Sequence, residues 1–122
     1  MNNLPPSGTK DYSGDEISIK EFVLQEASKI AILRGFARIE TPAFENTAIL
    51  MKKYGEEGEG LTFQVLNQKE KESSLTLRYD LTIPAMRFYA KNKEDLPSVF
   101  KKFQYGSVWR ADRPGKDRYR EF

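Results

Sequence analysis

Twenty residues of helical periodicity, then a glycine and a short run of strand-formers ending in proline, set the frame for this chain. Across residues 15–34 the apolar side chains Ile19, Phe22, Val23, Ala27, Ile30 and Leu33 recur at three- and four-residue spacings. That spacing predicts a helix with one apolar face, expected to be buried. Ser13, with Glu16 three residues on, predicts a capping box at its start. Gly35 is placed to end it. Residues 36–41 then read as a strand closed by Pro42, which suits a strand end or a sheet edge. The pattern predicts an α+β fold, a long N-terminal helix packed on an antiparallel sheet.

The rest of the chain is punctuated in keeping with one domain over residues 1–122. The first fourteen residues hold Pro5, Pro6, Gly8 and Gly14 and read as an extended lead-in. Asn46 or Thr47 is placed to cap a short helix reaching Tyr54. Residues 55–60, reading GEEGEG, suggest a mobile acidic loop and not a cation site. Residues 61–67 and 74–78 alternate like two strands joined by a polar linker at 68–73. Residues 82–91 read as a helix with Pro84 in its first turn, where proline is tolerated. A loop at 93–97 leads to the terminal segment.

Composition closes several routes to chemistry. The chain has no cysteine, which excludes disulfides, thiolate nucleophiles and Cys-ligated metals. It has no histidine, which removes the commonest general base and every His-ligated metal site. No apolar run approaches membrane-spanning length, and the N-terminus lacks the pattern of a signal peptide, so a cytoplasmic location is expected. The net charge of +2 is unevenly spread: residues 98–122 carry seven basic and three acidic side chains. A local positive cluster suits an anionic small ligand or one nucleic-acid contact.

That cluster sits on a recognisable device. A strand-like run ends in Trp109-Arg110, a polar loop contains Pro114-Gly115, and a second alternating run covers residues 118–122. This reads as a hairpin with cations on both arms and an aromatic ring at its end. Arg110 and Arg118 can face one ligand from two sides, with planar forks that match phosphate or carboxylate oxygens. Phe122 can stack on a base, and Asp112 can accept from an exocyclic amine. The plainer reading is a solvated hairpin with surface arginines. Upstream, Asp80 lies where a strand gives way to a helix. It either pairs with an ammonium group, aided by the Thr82 hydroxyl, or simply caps the helix. Residues 34–45 read as a packing unit of helix, glycine, strand and proline.

Together these segments resemble the class II aminoacyl-tRNA synthetases. Residues 34–45 are similar to motif 1 of that family, and residues 103–122 to motif 2, with Arg110-Ala111-Asp112 standing where the family has Arg-x-Glu. The resemblance narrows to the histidyl-tRNA synthetases through Ser7-Gly8-Thr9-Lys10-Asp11-Tyr12, Leu77-Arg78-Tyr79-Asp80-Leu81-Thr82-Ile83-Pro84, and Arg113-Pro114 with Arg118-Tyr119-Arg120-Glu121-Phe122. It covers nearly the whole chain, in order.

The resemblance implies a partial synthetase catalytic domain and a set of roles. Asp80 and Thr82 would hold the α-ammonium of histidine. Arg110 would bridge its carboxylate and the ATP α-phosphate, as the one catalytic cation. Asp112 would sit near the adenine amino group, Arg118 on the γ-phosphate side, and Phe122 against adenine. Gly35, Phe36 and Pro42 would contribute to a homodimer contact. ATP, histidine and tRNA(His) would be the substrates. Mg²⁺ would come with the polyphosphate, although the chain offers no ligand cluster for it. Asp112 and Asp80 both stand where relatives carry Glu. The family's histidine-specific segment, motif 3 arginine and anticodon-binding domain have no counterpart up to Phe122. These residues therefore read as the N-terminal part of a longer enzyme, with an unpaired edge on the second hairpin arm. By themselves they are expected to be inactive. Other readings are the synthetase-like regulatory subunit of ATP phosphoribosyltransferase, a synthetase for another amino acid, and a basic interaction module.

Overall fold

The computed structural model describes residues 3–66, 68–69 and 73–122. Asn67 of an expected strand and residues 70–72 of the expected linker lie outside the described residues. Helix α1 spans Gly14–Leu33, one residue from the expected bounds. Gly35 ends it with φ at 77°. The Gly35 amide donates to the Ile32 carbonyl at 3.0 Å, and the Phe36 amide reaches back to the Ala31 carbonyl at 2.9 Å. A positive φ of this size favours a residue without a Cβ, which is why glycine serves here. The expected capping box does not form. Ser13 makes no side-chain cap bond, and Glu16 pairs instead with Lys10 at 2.5 Å.

The burial expected of α1 is also overturned. Ile19, Phe22, Val23, Ile30 and Leu33 are 56–84% exposed. The helix meets the rest of the chain along a different line, where Leu24, Ser28 and Ala31 are half-buried. Periodicity locates an apolar stripe; it does not say which surface covers it.

Two small sheets carry the strands. Strand β1, Ala37–Arg38, pairs in parallel with β5, Lys102–Phe103. The other sheet is antiparallel, as expected, and ordered β2-β4-β3. Its members are β2 at Phe44–Asn46, β3 at Gln64–Val65 and β4 at Leu75–Leu77. Thus the run at 36–41 yields a two-residue strand, and β2 appears beyond Pro42, where no strand was expected. Thr76 of the central strand is fully buried and shares a 2.8 Å hydrogen bond with the Thr47 hydroxyl.

Helix α2, Thr47–Tyr54, leads into the segment expected to be a mobile loop. It is a 3₁₀ helix, Glu56–Leu61. Gly58 is buried there, and its carbonyl accepts from the Thr62 hydroxyl at 3.0 Å. A Cβ on Gly58 would fall 2.5 Å from that of Tyr54, so only glycine lets this turn fold against α2. Helix α3, Thr82–Asn92, extends one residue past its expected end and presents Ile83, Pro84 and Ala85 to the interior. A buried ion pair holds it to β2: Arg87 Nε lies 2.7 and 2.9 Å from the Glu45 carboxylate oxygens.

Arg78, at the exit of β4, joins these pieces. It is 7% exposed, and its guanidinium donates to the carbonyls of Ser107 and Thr41 at 2.8 Å each and of Pro42 at 3.4 Å. Its own amide donates to Ala43, and its carbonyl accepts from Trp109. Gly106 packs so closely that a Cβ there would lie 2.5 Å from Arg78 Nη2. Removing the guanidinium would strand two or three carbonyls that have little access to water. Arg78→Met is expected to cost at least about 3 kcal/mol, since bonds to charged donors contribute about 1.5–3 kcal/mol each. Urea denaturation checks this; a loss below about 1 kcal/mol would mean water replaces the guanidinium.

Candidate functional site

The expected terminal hairpin is present. Val108 and Phe122 exchange amide–carbonyl bonds at 2.9 and 3.2 Å, and the Arg110 amide donates to Arg120 at 2.8 Å. Trp109 bridges Glu121, and the turn closes between Gly115 and Arg118. The unpaired edge expected of the second arm is partly occupied. The Arg120 and Glu121 amides both donate to the Gly8 carbonyl, at 2.6 and 3.3 Å. Gly8 has φ at 81°, and a Cβ on it would sit 2.7 Å from Arg120 Cγ. The lead-in is therefore a strap across the hairpin.

Arg110, Asp112, Arg118 and Phe122 line one cleft of about 540 Å³, joined by Arg113, Asp117 and Tyr119. Alternation along the arms brings Arg110, Asp112 and Phe122 to a common face, and the turn adds the rest. The Arg110 guanidinium lies 4.4 Å from the Tyr79 ring centroid and 5.1 Å from that of Phe122. Its Nε donates to the Tyr79 carbonyl at 3.3 Å. A guanidinium held between two rings is aimed without losing its charge to a carboxylate. Asp112 Oδ1 is buried and has no hydrogen-bond partner among the described residues. An acceptor in that condition favours a ligand that brings a donor. Phe122 is half exposed.

Asp80 forms a second cluster. Oδ1 accepts from the Thr82 and Ile83 amides at 3.0 and 3.4 Å, so the carboxylate caps α3. Oδ2 accepts from the Tyr54 hydroxyl at 2.7 Å and lies 3.3 Å from Lys53 Nζ. Burial pushes this carboxyl up, but the Tyr54 hydroxyl, the two amides and Lys53 outweigh it and hold it below its ordinary value. Burial, and then the bond to Asp80, raises the Tyr54 hydroxyl. Lys53 is raised by the Tyr54 oxygen first and, against slight desolvation, by Asp80.

The two clusters meet through Tyr79, whose ring centroid lies 5.1 Å from that of Tyr54. Thr82 places its amide on Asp80 but lines a separate hollow with Ala85, Met86, Tyr89, Phe100 and Lys102. Gly35, Phe36 and Pro42 are each exposed and do not line the hairpin cleft. Phe36 borders a hollow that includes Ala27 and Ile30 of α1. Sequence reasoning missed Lys53, Tyr54 and Tyr79. Only the adjacency of Tyr79 to Asp80 was a possible signal, because the Tyr54 contact depends on how α2 folds back.

A family model described as histidyl-tRNA synthetase matches residues 8–122. The chain belongs to that family. Curated histidine–tRNA ligases from Azobacteroides pseudotrichonymphae and Bacteroides fragilis are 39% and 37% identical over 96% of this chain. One from Porphyromonas gingivalis is 39% identical over the same share. The chain spans about 30% of the length of each of these relatives. Among solved structures, the histidyl-tRNA synthetase of Nostoc sp. PCC 7120 superposes with a TM-score of 0.81 at 24% identity. It covers 99% of this chain and 27% of that one. A Bacillus halodurans structure described as an ATP phosphoribosyltransferase regulatory subunit/histidyl-tRNA synthetase gives 0.81 at 23%, covering 100% and 31%. These likenesses establish the class II synthetase fold. Among the described residues, no helix is long and apolar enough to cross a membrane.

In this synthetase segment the Asp80 cap has a definite pH signature. Asp80→Ala is expected to lower stability by about 1 kcal/mol at pH 7, as the loss of a helix cap does. The folded carboxyl titrates below its unfolded value, so this contribution is complete above about pH 4 and fades as pH falls through the folded pKa. Thermal melts of both proteins across pH 2–7 check it; a constant difference down to pH 2 would contradict the assigned charge state.

Proposed function

We propose that a protein carrying this segment activates histidine with ATP and transfers it to tRNA(His). The observation that carries this reading is the cleft in which Arg110, Asp112, Arg118 and Phe122 converge. One carboxylate oxygen of histidine attacks the α-phosphorus of ATP, and pyrophosphate leaves with the bond it held. The product is histidyl-adenylate. A terminal ribose hydroxyl of tRNA then attacks the activated carbonyl carbon, and AMP departs. A carboxylate is already a nucleophile at neutral pH, so the first step needs no protein base. What the protein supplies is position and compensation for charge on the phosphate oxygens.

The roles are those the resemblance implies, and the placement of the residues supports them. Arg110, clamped between Tyr79 and Phe122, spans the amino-acid carboxylate and the α-phosphate. Arg118, across the hairpin turn, meets the γ-phosphate end. Phe122 offers its exposed ring to adenine, and the unpartnered Asp112 Oδ1 accepts from the adenine amine. Asp80, with Thr82 beside it, receives the α-ammonium. Mg²⁺ enters this reading with ATP, as the counter-ion of its phosphates.

The exposed apolar face of α1, continuous with Phe36, supports a homodimer in which a second copy covers it. Ile30→Glu is expected to convert the dimer of a complete catalytic domain to monomer, read by sedimentation. A wild-type monomer would remove this part of the reading.

A second reading is favoured by the Bacillus halodurans likeness: a regulatory subunit on the same fold that senses histidine without activating it. Histidine-dependent ATP–pyrophosphate exchange separates the two. A complete catalytic domain containing these residues is expected to exchange, and Arg110→Ala to lower the rate by about 10²-fold, as for loss of one oxyanion donor. The 122 residues alone are expected to stay at background. A complete catalytic domain that shows no histidine-dependent exchange would overturn the synthetase reading.

A further inference from the structure

A carboxylate offers about four acceptor positions, and in Asp80 all four are in use. Oδ1 takes the Thr82 and Ile83 amides. Oδ2 takes the Tyr54 hydroxyl and the Lys53 ammonium. An incoming ammonium must therefore displace one of these. The two amides belong to the first turn of α3, where the helix backbone fixes them, and displacing either would forfeit the cap. The Tyr54 hydroxyl is part-buried at 2.7 Å, with its ring against Tyr79. Lys53 alone is a flexible, 40% exposed side chain, at 3.3 Å. In the same position its Nζ lies 5.0 Å from the Tyr54 ring centroid.

We infer that Lys53 occupies the substrate-ammonium seat on Asp80 and that the α-ammonium of the amino acid enters by displacing it. This rests on the reading of Asp80 as the ammonium receptor. Lys53 is then a built-in competitor of the same charge and chemistry as the group it yields to. It keeps the carboxylate paired when no amino acid is present and weakens amino-acid affinity in proportion to its own hold. ATP, held by the hairpin cleft, makes no use of this seat.

The test is steady-state ATP–pyrophosphate exchange with the complete catalytic domain and Lys53→Met. The KM for histidine is expected to fall roughly twofold to fivefold, matching an exposed ion pair. kcat and the KM for ATP stay unchanged, and Lys53→Arg behaves as wild type. A KM for histidine that is unchanged or raised overturns the inference while leaving the synthetase reading intact. Wild-type complete domain that shows no histidine-dependent exchange overturns both. In the 122-residue chain itself, carboxyl-carbon NMR is expected to show Asp80 titrating higher in Lys53→Met, with the Thr82 and Ile83 amide resonances unmoved. An unchanged Asp80 titration would show that Lys53 does not hold the seat, whatever the enzyme does.

Discussion

Arg78 is a buried cation with no carboxylate partner among the described residues, and the architecture depends on how it is satisfied. Taking a guanidinium out of water is costly unless its donors are met. Here carbonyls meet them, from Thr41 and Pro42 on one side and Ser107 on the other. Carbonyls bring partial charge without a titratable group, and their positions are fixed by backbone. Burial lowers the Arg78 pKa, yet arginine remains charged at any ordinary pH. The fork therefore works as a constant strut between the helix–strand–proline unit and the hairpin. The residues that follow it, Tyr79 and Asp80, are delivered to the site because Arg78 is turned inward.

From that strut a column of side chains runs outward. Tyr54 packs on Tyr79, Tyr79 on Arg110, and Arg110 on Phe122. Each member comes from a different part of the chain, so the column links α2, the exit of β4 and both hairpin arms. It also sets the electrostatics. Aromatic faces steady Arg110 while leaving its full charge available, whereas Asp80 is neutralised locally by Tyr54, Lys53 and two amides. The cationic Arg110 and the anionic Asp80 are thus not paired with each other, and the salt bridge an incoming ammonium meets is that of Asp80 with Lys53.

Much of this was legible before any coordinates. Local signals worked where local physics decides: Gly35 ends α1 because the backbone there needs a positive φ, and the α3 bounds follow from Asp80 and Pro84. The hairpin was readable because its turn chemistry and alternation lie within twenty residues. What failed depends on distant partners. The stripe Ile19–Leu33 is apolar as read, but helix packing uses Leu24, Ser28 and Ala31. Strand β1 pairs in parallel with β5 from far along the chain, which alternation within either segment cannot reveal. Residues 55–60 looked mobile by composition, yet buried Gly58 lets them wind against Tyr54. Tyr54 and Lys53 carried no sequence signal, since Asp80 alone, brought close by the fold, gives them meaning.

The Gly8 strap has a consequence for the order of events in folding. Its carbonyl and its partners, the amides of Arg120 and Glu121, lie more than a hundred residues apart in the sequence. Closing so long a loop is thermodynamically modest, because each doubling of loop length adds only about 0.6 kcal/mol. Kinetically it is a contact of very high sequence separation, which forms late. The lead-in must wait, unpaired, until the hairpin has assembled around Arg78 and Arg110. The strap is then a latch that can engage only over a finished cleft, so its engagement reports on completion of the binding face.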